Sequence, residues 1–140
     1  ETVFVSLPVK TEPWRVPLDP DGTLLPDGRT LLLNKLTKKE YENRRKFNNL
    51  FFINVINYAT ILNITSVRNR REGDAYRPAG RGVTKTLKKL FNEAGLEPMF
   101  RGGRAILESG GKIIWVEGFG PSQESCVMDD TQNIAEIKII

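Results

Sequence analysis

Residues 68–91 read RNRREGDAYRPAGRGVTKTLKKLF and join a basic, glycine-containing segment directly to an amphipathic one. From Leu87 onwards, apolar residues recur at positions i, i+3, i+4 and i+7, which is the spacing of one face of an α-helix. This spacing predicts a helix over residues 85–94, with the side chains of Leu90 and Phe91 facing the core of the protein.

The segments on both sides of this helix have the composition of short β-strands. Residues 23–33 contain two apolar runs that flank Asp27-Gly28, a pair suited to a tight hairpin turn because glycine readily adopts a positive φ. Further strands are predicted at residues 2–9, 50–53, 64–67, 105–108, 113–116 and 134–140. Many short strands with one or two packed helices predict an α+β, mostly β fold.

A second, short helix is predicted after Thr37, because Thr37 and Glu40 have the spacing of a capping box. The segment at residues 41–46 has little apolar periodicity, so we expect this helix to be solvated. Asn54 is a further candidate cap, for a helical turn that runs through Tyr58.

The composition is that of one globular domain with a single core. The chain has 140 residues, of which 39% are hydrophobic and 27% are charged. No apolar run approaches the roughly 20 residues that a membrane-spanning helix needs. The first residues carry no basic segment of the kind that precedes a secretion signal, and the chain lacks an initiator methionine, which suggests a piece of a longer protein.

Positive charge is concentrated in one part of the chain. Residues 68–104 contain ten Lys or Arg against four Asp or Glu, a net charge of +6, whereas the remaining residues sum to −2. A patch of this kind indicates an anionic partner, and a polyphosphate chain such as RNA is the usual one. The candidate RNA-binding residues are Arg68, Arg70, Arg71, Arg77, Arg81, Lys85, Lys88 and Lys89. Tyr76 stands between charged residues and is the candidate for a contact with a base or sugar.

Within this set, Arg81 and Lys85 form a candidate phosphate site. Lys85 is predicted in the first helical turn, where the helix dipole disfavours a cation unless an anion binds there. Gly80 and Gly82 would allow a ligand to approach the backbone closely. The alternative is a glycine loop with solvated charges. The spacing of these residues matches neither a nucleotide-binding P-loop nor a dinucleotide fingerprint.

Several classes of catalytic site are excluded by composition. The chain has no histidine and a single cysteine, Cys126, which excludes the usual Cys/His zinc sites and triads with a histidine base. The acidic residues Glu124, Asp129 and Asp130 are not spaced with further ligands for a metal. We therefore predict no catalytic residues and no metal site in this chain.

Three motifs resemble the C-terminal region of bacterial tRNA(Ile)-lysidine synthetases. They are TSVRNRREGDAYRP at residues 65–78, TKTLKKLF at residues 84–91 and IIWVEG at residues 113–118. The resemblance covers about residues 50–140. It departs from the family pattern at Gly102, Ala105 and Glu117, where that family typically has an aspartate, a proline and a proline.

This resemblance implies a fold, an activity and partners. The fold would be the sandwich-like β domain shared with part of the phenylalanyl-tRNA synthetase β-subunit. Residues 1–49 would be the variable strands, hairpin and short helix of the region, and residues 50–140 its tRNA-binding domain. The parent enzyme would be an ATP-dependent, cytoplasmic ligase that adds lysine to the wobble cytidine of isoleucine tRNA. ATP and magnesium would bind in its N-terminal catalytic domain.

Two functions are therefore open at this point. The first is a non-catalytic tRNA-binding region of such a ligase, with isoleucine tRNA and the enzyme's own N-terminal catalytic domain as partners. The second is a protein-interaction module whose basic patch docks an acidic partner or that catalytic domain. Neither function involves a membrane.

Overall fold

The computed structural model describes residues 12–140, so the strand predicted at residues 2–9 lies outside the described part of the chain. The strands are β1 (Arg15–Pro17), β2 (Thr23–Leu24), β3 (Thr30–Leu36), β4 (Val55–Asn57), β5 (Ser66–Asn69), β6 (Ala75–Tyr76), β7 (Lys85–Thr86), β8 (Ala105–Ser109), β9 (Lys112–Val116), β10 (Gly120–Pro121) and β11 (Ile134–Ile139). The α-helices are α1 (Lys38–Arg45) and α2 (Leu87–Glu93), and 3-10 turns occur at Phe51–Asn54, Tyr58–Thr60 and Pro98–Phe100.

Two antiparallel sheets pack against each other. The first sheet has the order β1-β5-β8-β9-β10 and the second the order β2-β3-β11-β4, while β6 and β7 form a separate two-stranded ribbon. One apolar cluster joins Leu107 and Trp115 of the first sheet to Leu31 and Ile137 of the second. The indole Nε1 of Trp115 donates to the carbonyl oxygen of Ile53 at 2.8 Å, so its polar atom is satisfied. This arrangement confirms the α+β, mostly β fold and its sandwich-like core.

Each sheet carries one helix on its outer face. Because side chains alternate across a strand, Ile106 points away from the core that contains Leu107, and it packs under Leu90 and Phe91 of α2. Helix α1 covers the second sheet in the same way through Tyr41. The capping box is confirmed, since the side chains of Thr37 and Glu40 each accept from the backbone N–H of the other. Neither helix in the described part of the chain is long and apolar enough to cross a membrane.

The predicted hairpins are confirmed. Strands β2 and β3 pair across a turn in which Gly28 has a φ of 93°, as the Asp-Gly pair indicated. Strands β8 and β9 pair across Gly110 and Gly111. Strand β11 lies between β3 and β4, so segments from both sides of residue 50 share one sheet. The boundary between residues 1–49 and 50–140 stays a prediction.

For residues 50–58 we predicted a strand followed by a helical turn, and this order is wrong. Residues 51–54 form a 3-10 turn rather than a strand, and the strand is β4 at Val55–Asn57. The reason is burial: Val55 is 1% exposed and enters the core, whereas Phe52 is 48% exposed. The turn that follows is capped by Asn57 rather than Asn54, through a 3.1 Å bond from the Ala59 N–H to its side chain. A short apolar run cannot by itself distinguish these two states.

Candidate nucleic-acid interface

The first residue of the basic segment, Arg68, is buried. It is 4% exposed, and its two terminal nitrogens donate to the two oxygens of Asp74 at 2.9 and 3.0 Å. Glu108 adds a third carboxylate oxygen at 3.4 Å. Strand β5 places this side chain on the outer face of the first sheet, under the segment that contains Asp74. The prediction that Arg68 faces RNA is therefore wrong, because the side chain is buried and both terminal nitrogens are used inside the protein.

Asp74 connects this ion pair to the backbone around it. Its Oδ2 also accepts from the Arg71 N–H at 2.7 Å, and its carbonyl oxygen accepts from the Leu87 N–H at 2.9 Å. Gly73 precedes it with a φ of 87°, in the left-handed region that favours glycine. Burial alone lowers the pKa of Arg68, but the charge and hydrogen bonds of Asp74 and Glu108 outweigh it and raise that pKa. Arg68 and Asp74 thus hold the loop between β5 and β6.

Tyr76 is also buried, at 5% exposure. Its hydroxyl group donates to the carbonyl oxygen of Gly120 at 3.1 Å, and its ring packs in the cluster under α2. Removal from solvent raises the pKa of this phenol, in spite of an opposing contribution from Arg81. Tyr76 is therefore a core residue and offers no surface for a base or sugar. Its position between charged residues was misleading, because β6 turns this side chain inward.

Arg81 and Lys85 are held by one carboxylate. Arg81 Nη2 lies 2.7 Å from Glu93 Oε1, and Lys85 Nζ lies 2.5 Å from Glu93 Oε2. The hydrogen bond from Lys85, together with that from Arg81, holds the pKa of Glu93 below its usual value. Lys85 lies in β7, before the cap Thr86, so it does not occupy the first turn of α2 as predicted. The side-chain nitrogens of both cations bind Glu93, the last residue of α2, although Lys85 itself comes directly before the N-cap.

Arg70 lies at the side of α2 and is half-buried. Its guanidinium carbon is 5.5 Å from the centroid of the Phe91 ring, and that of Arg101 is 5.9 Å away. Arg101 also donates to the Leu96 carbonyl oxygen at 2.7 Å and to the Asn92 side chain at 2.8 Å. These stacked arginines cover the aromatic ring while their charge stays near the surface.

Four predicted residues are exposed cations without an acidic partner within salt-bridge distance in residues 12–140: Arg71, Arg77, Lys88 and Lys89. The pairing of Tyr76 with Lys85 brings β6 and its neighbour Arg77 beside the segment that leads into α2. We call these four residues together with Arg81 and Lys85 the basic face. It is built from the β5–β6 loop, the loop after β6, strand β7 and the solvent side of α2.

The structure also shows a second basic element, which the sequence pattern indicated only as a solvated helix. Residues 38–46 contain five Lys or Arg and two Glu, a net charge of +3 that a local charge count would have detected. Arg44 uses both terminal nitrogens on the buried Glu136, at 2.7 and 2.6 Å, and so fastens α1 to the second sheet. Arg45 lies over the ring of Tyr41, with 5.4 Å between its guanidinium carbon and the ring centroid.

Within residues 12–140, no three His, Cys, Asp or Glu side chains are close enough to hold a metal ion. Cys126 is half-buried, and burial raises the pKa of its thiol. A reactive thiolate is stabilised by the opposite kind of environment.

The comparisons with known proteins agree with this architecture. The family model described as "TilS substrate C-terminal domain" matches residues 65–138, which is more than half of the chain. A tRNA(Ile)-lysidine synthase of Methylococcus capsulatus is 49% identical over 53 residues, which cover 38% of this chain and 12% of that protein. One of Clostridium acetobutylicum is 34% identical over 74 residues, which cover 53% of this chain and 16% of that protein.

A solved structure shares the fold. The chain superposes on a structure titled "Crystal structure of TILS C-terminal domain" with a TM-score of 0.69 and 25% sequence identity. The match covers 91% of this chain and 96% of the solved one. Since the segments matched in the two curated relatives are 12% and 16% of their lengths, the chain corresponds to a small part of such proteins. With a family model that covers most of its core strands and helix α2, this chain belongs to the TilS substrate C-terminal domain family.

Proposed function

We propose that this chain is the non-catalytic, tRNA-binding C-terminal region of a tRNA(Ile)-lysidine synthase. The observation that carries the proposal is the set of exposed cations on the basic face, of which Arg71, Arg77, Lys88 and Lys89 have no carboxylate partner in the described residues. Surface cations left free in this way bind phosphates by releasing counterions from the nucleic acid. Such contacts position a duplex without reading its sequence.

The parent protein is proposed to be the ATP-dependent ligase that the relatives' names describe. In that proposal ATP, magnesium and the reaction with lysine belong to its N-terminal catalytic domain, and the enzyme works in the cytoplasm on isoleucine tRNA. This chain contributes grip on the body of the tRNA, because A-form stems are held mainly through their backbone and shape. The buried pair of Arg68 and Asp74 supports the basic face from below and does not touch RNA.

The binding test compares two double variants that remove the same charge. Lys88→Ala/Lys89→Ala removes two cations from the basic face. Lys112→Ala/Lys138→Ala removes two exposed cations from strands β9 and β11, outside that face. Filter binding of isoleucine tRNA over a series of salt concentrations should show weaker binding for the first variant. Its salt slope should fall by roughly one for each lysine that no longer neutralises a phosphate. The second variant should bind like the unaltered chain.

Two outcomes would contradict the proposal. Equal losses of affinity in both variants would mean that tRNA responds only to total charge, without a defined face. Absence of salt-dependent tRNA binding by the unaltered chain would favour the alternative function, a module that docks an acidic protein partner or the enzyme's own catalytic domain. That alternative has one supporting observation, since Arg81 and Lys85 already donate to a carboxylate, that of Glu93.

A further inference from the structure

A cleft of about 440 Å³ separates α1 and the Phe51–Asn54 turn from the loop that contains Gly80 and Arg81. Its walls include the side chains of Tyr41, Phe52 and Val127. The volume lies in the range of about 300–1,000 Å³ that is usual for clefts that bind small ligands. The cleft lies where the basic face ends and the second basic element begins.

One aromatic side chain of the cleft lining, that of Phe52, is exposed to solvent. Phe52 is 48% exposed, although its neighbour Phe51 is 3% exposed and packs against Tyr41. The 3-10 turn accounts for this difference, because it directs Phe51 inward and leaves the ring of Phe52 beside the cleft. The ring of Phe52 is therefore available to a ligand in the cleft.

One rim of the cleft carries arginine. Arg81 belongs to the loop on that side and lines the cleft. Its acidic partner is Glu93 at 2.7 Å, with both side chains about half exposed, so the pair is open to solvent and a phosphate can compete for the guanidinium group. A cationic rim beside an apolar floor complements a ligand that has a flat apolar body and a phosphate group. An apolar protein segment would match the floor and leave the rim unused.

The loop that forms one wall is held in place by the neighbouring segment. The Gly80 N–H donates to the Gln123 side chain at 2.9 Å, and the Ala79 N–H donates to the Pro121 carbonyl oxygen at 3.0 Å. Gly80 has a φ of 80°, and no atom lies within 4 Å of the position that a Cβ would take. The cleft is thus preformed, and a ligand can approach the backbone at this glycine.

We propose that this cleft binds an unpaired nucleotide of RNA, with its base stacked on Phe52 and its flanking phosphate at Arg81. The inference rests on the proposed function, since the basic face would hold the adjoining duplex. Proteins that bind RNA commonly take unstacked bases from single-stranded ends or loops and place them on aromatic rings. The cleft and the basic face share Arg81, so one strand can leave a duplex on α2 and enter the cleft.

The test uses two RNAs, a blunt duplex and the same duplex with a single-stranded overhang. In fluorescence anisotropy, the unaltered chain should bind the overhang RNA at least about fivefold more tightly than the blunt duplex, because stacking of one base on an aromatic ring contributes about that much affinity. Phe52→Ala should remove this gain and leave binding of the blunt duplex unchanged. Phe52→Tyr, which keeps a ring, should retain the gain. Phe47→Ala is the matched control, because Phe47 is 89% exposed and does not line the cleft.

Cys126 provides a second measurement in the same samples. It is the chain's single cysteine and lines the cleft, so its rate of alkylation reports whether the cleft is occupied. The overhang RNA should slow alkylation of the unaltered chain, and the blunt duplex should not. In Phe52→Ala the two RNAs should have the same effect on this rate.

The outcomes separate this inference from the proposed function. The nucleotide site is overturned if the overhang gives no gain in affinity, or if Phe52→Ala keeps that gain or weakens binding of both RNAs equally. In these cases salt-dependent binding of the blunt duplex still supports the proposed function. If the unaltered chain binds neither RNA, the proposed function fails and the inference fails with it. An unchanged alkylation rate with bound overhang RNA would also overturn the site.

Discussion

Arg68 and Asp74 form a two-point ion pair beneath the surface, with nitrogen–oxygen distances of 2.9 and 3.0 Å. The two residues are six positions apart and belong to the same arginine-rich motif, yet their charged groups are paired with each other. Their pair closes the segment that leads from β5 to β6, and it allows the neighbouring Arg71 to remain exposed. Part of a motif that looked like an RNA-binding sequence is therefore the support on which the basic face is built.

Loss of Asp74 should destabilise the protein strongly. Asp74→Ala leaves the buried guanidinium of Arg68 with a single carboxylate, that of Glu108 at 3.4 Å. Removal of one partner of a buried pair typically lowers the free energy of unfolding by about 3–5 kcal/mol. Urea denaturation should show this loss. The control is Glu72→Ala, an exposed carboxylate in the same loop, which should change the free energy of unfolding by less than about 0.5 kcal/mol. Similar values for the two variants would show that the ion pair contributes little.

The two faces of α2 should respond differently to truncation. Phe91→Ala removes a fully buried ring that contacts the first sheet and should lower the free energy of unfolding by about 3–5 kcal/mol. Lys88→Ala, on the solvent side, should lower it by less than about 0.5 kcal/mol. Thermal or urea unfolding of both variants provides the measurement. Equal decreases would place the helix in a different rotational orientation.

Tyr76→Phe should have an effect that depends on pH. At neutral pH the variant loses the hydrogen bond to Gly120, which is worth about 0.5–1.5 kcal/mol. Burial raises the pKa of Tyr76 above its ordinary value of about 10, so the folded unaltered protein keeps a proton that the unfolded chain loses in alkaline solution. Stability from this group is therefore complete below about pH 10 and declines as the pH rises above it.

The variant has no phenol to titrate, so the difference between the two proteins should shrink above that pH. Unfolding by urea at neutral pH and at alkaline pH tests this expectation. A difference that is independent of pH would mean that Tyr76 titrates alike in the folded and unfolded states.

Glu93 should weaken RNA binding in the unaltered chain, because it holds Arg81 and Lys85. Glu93→Gln removes that charge, so tRNA should bind more tightly and the salt slope should become steeper by up to about two phosphate contacts. Arg81→Ala/Lys85→Ala should have the opposite effect. Glu97→Gln is the control because it removes the same charge. Glu97 is exposed and forms no ion pair within the described residues. Equal gains from both glutamine variants would point to net charge alone.

Features that depend on near neighbours were predictable from the chain. The capping box at Thr37, the turn at Gly28 and the buried stripe of α2 each depend on residues within a few positions, and all three were confirmed. The three motifs between residues 65 and 118 were sufficient to indicate the family. The concentration of positive charge in residues 68–104 is likewise a property of the sequence.

Only the tertiary structure decided which of those charges face solvent. Arg68 is buried because β5 turns it under a loop and because Glu108, forty residues away, lies beside it. Tyr76 is buried because its hydroxyl group reaches Gly120 of a distant strand. Phe52 stays exposed because the strand begins at Val55, which enters the second sheet beside β11, and Phe52 lies in the turn before it. In each case the deciding contact comes from a residue far along the chain or from the face of a sheet, and local sequence patterns contain neither.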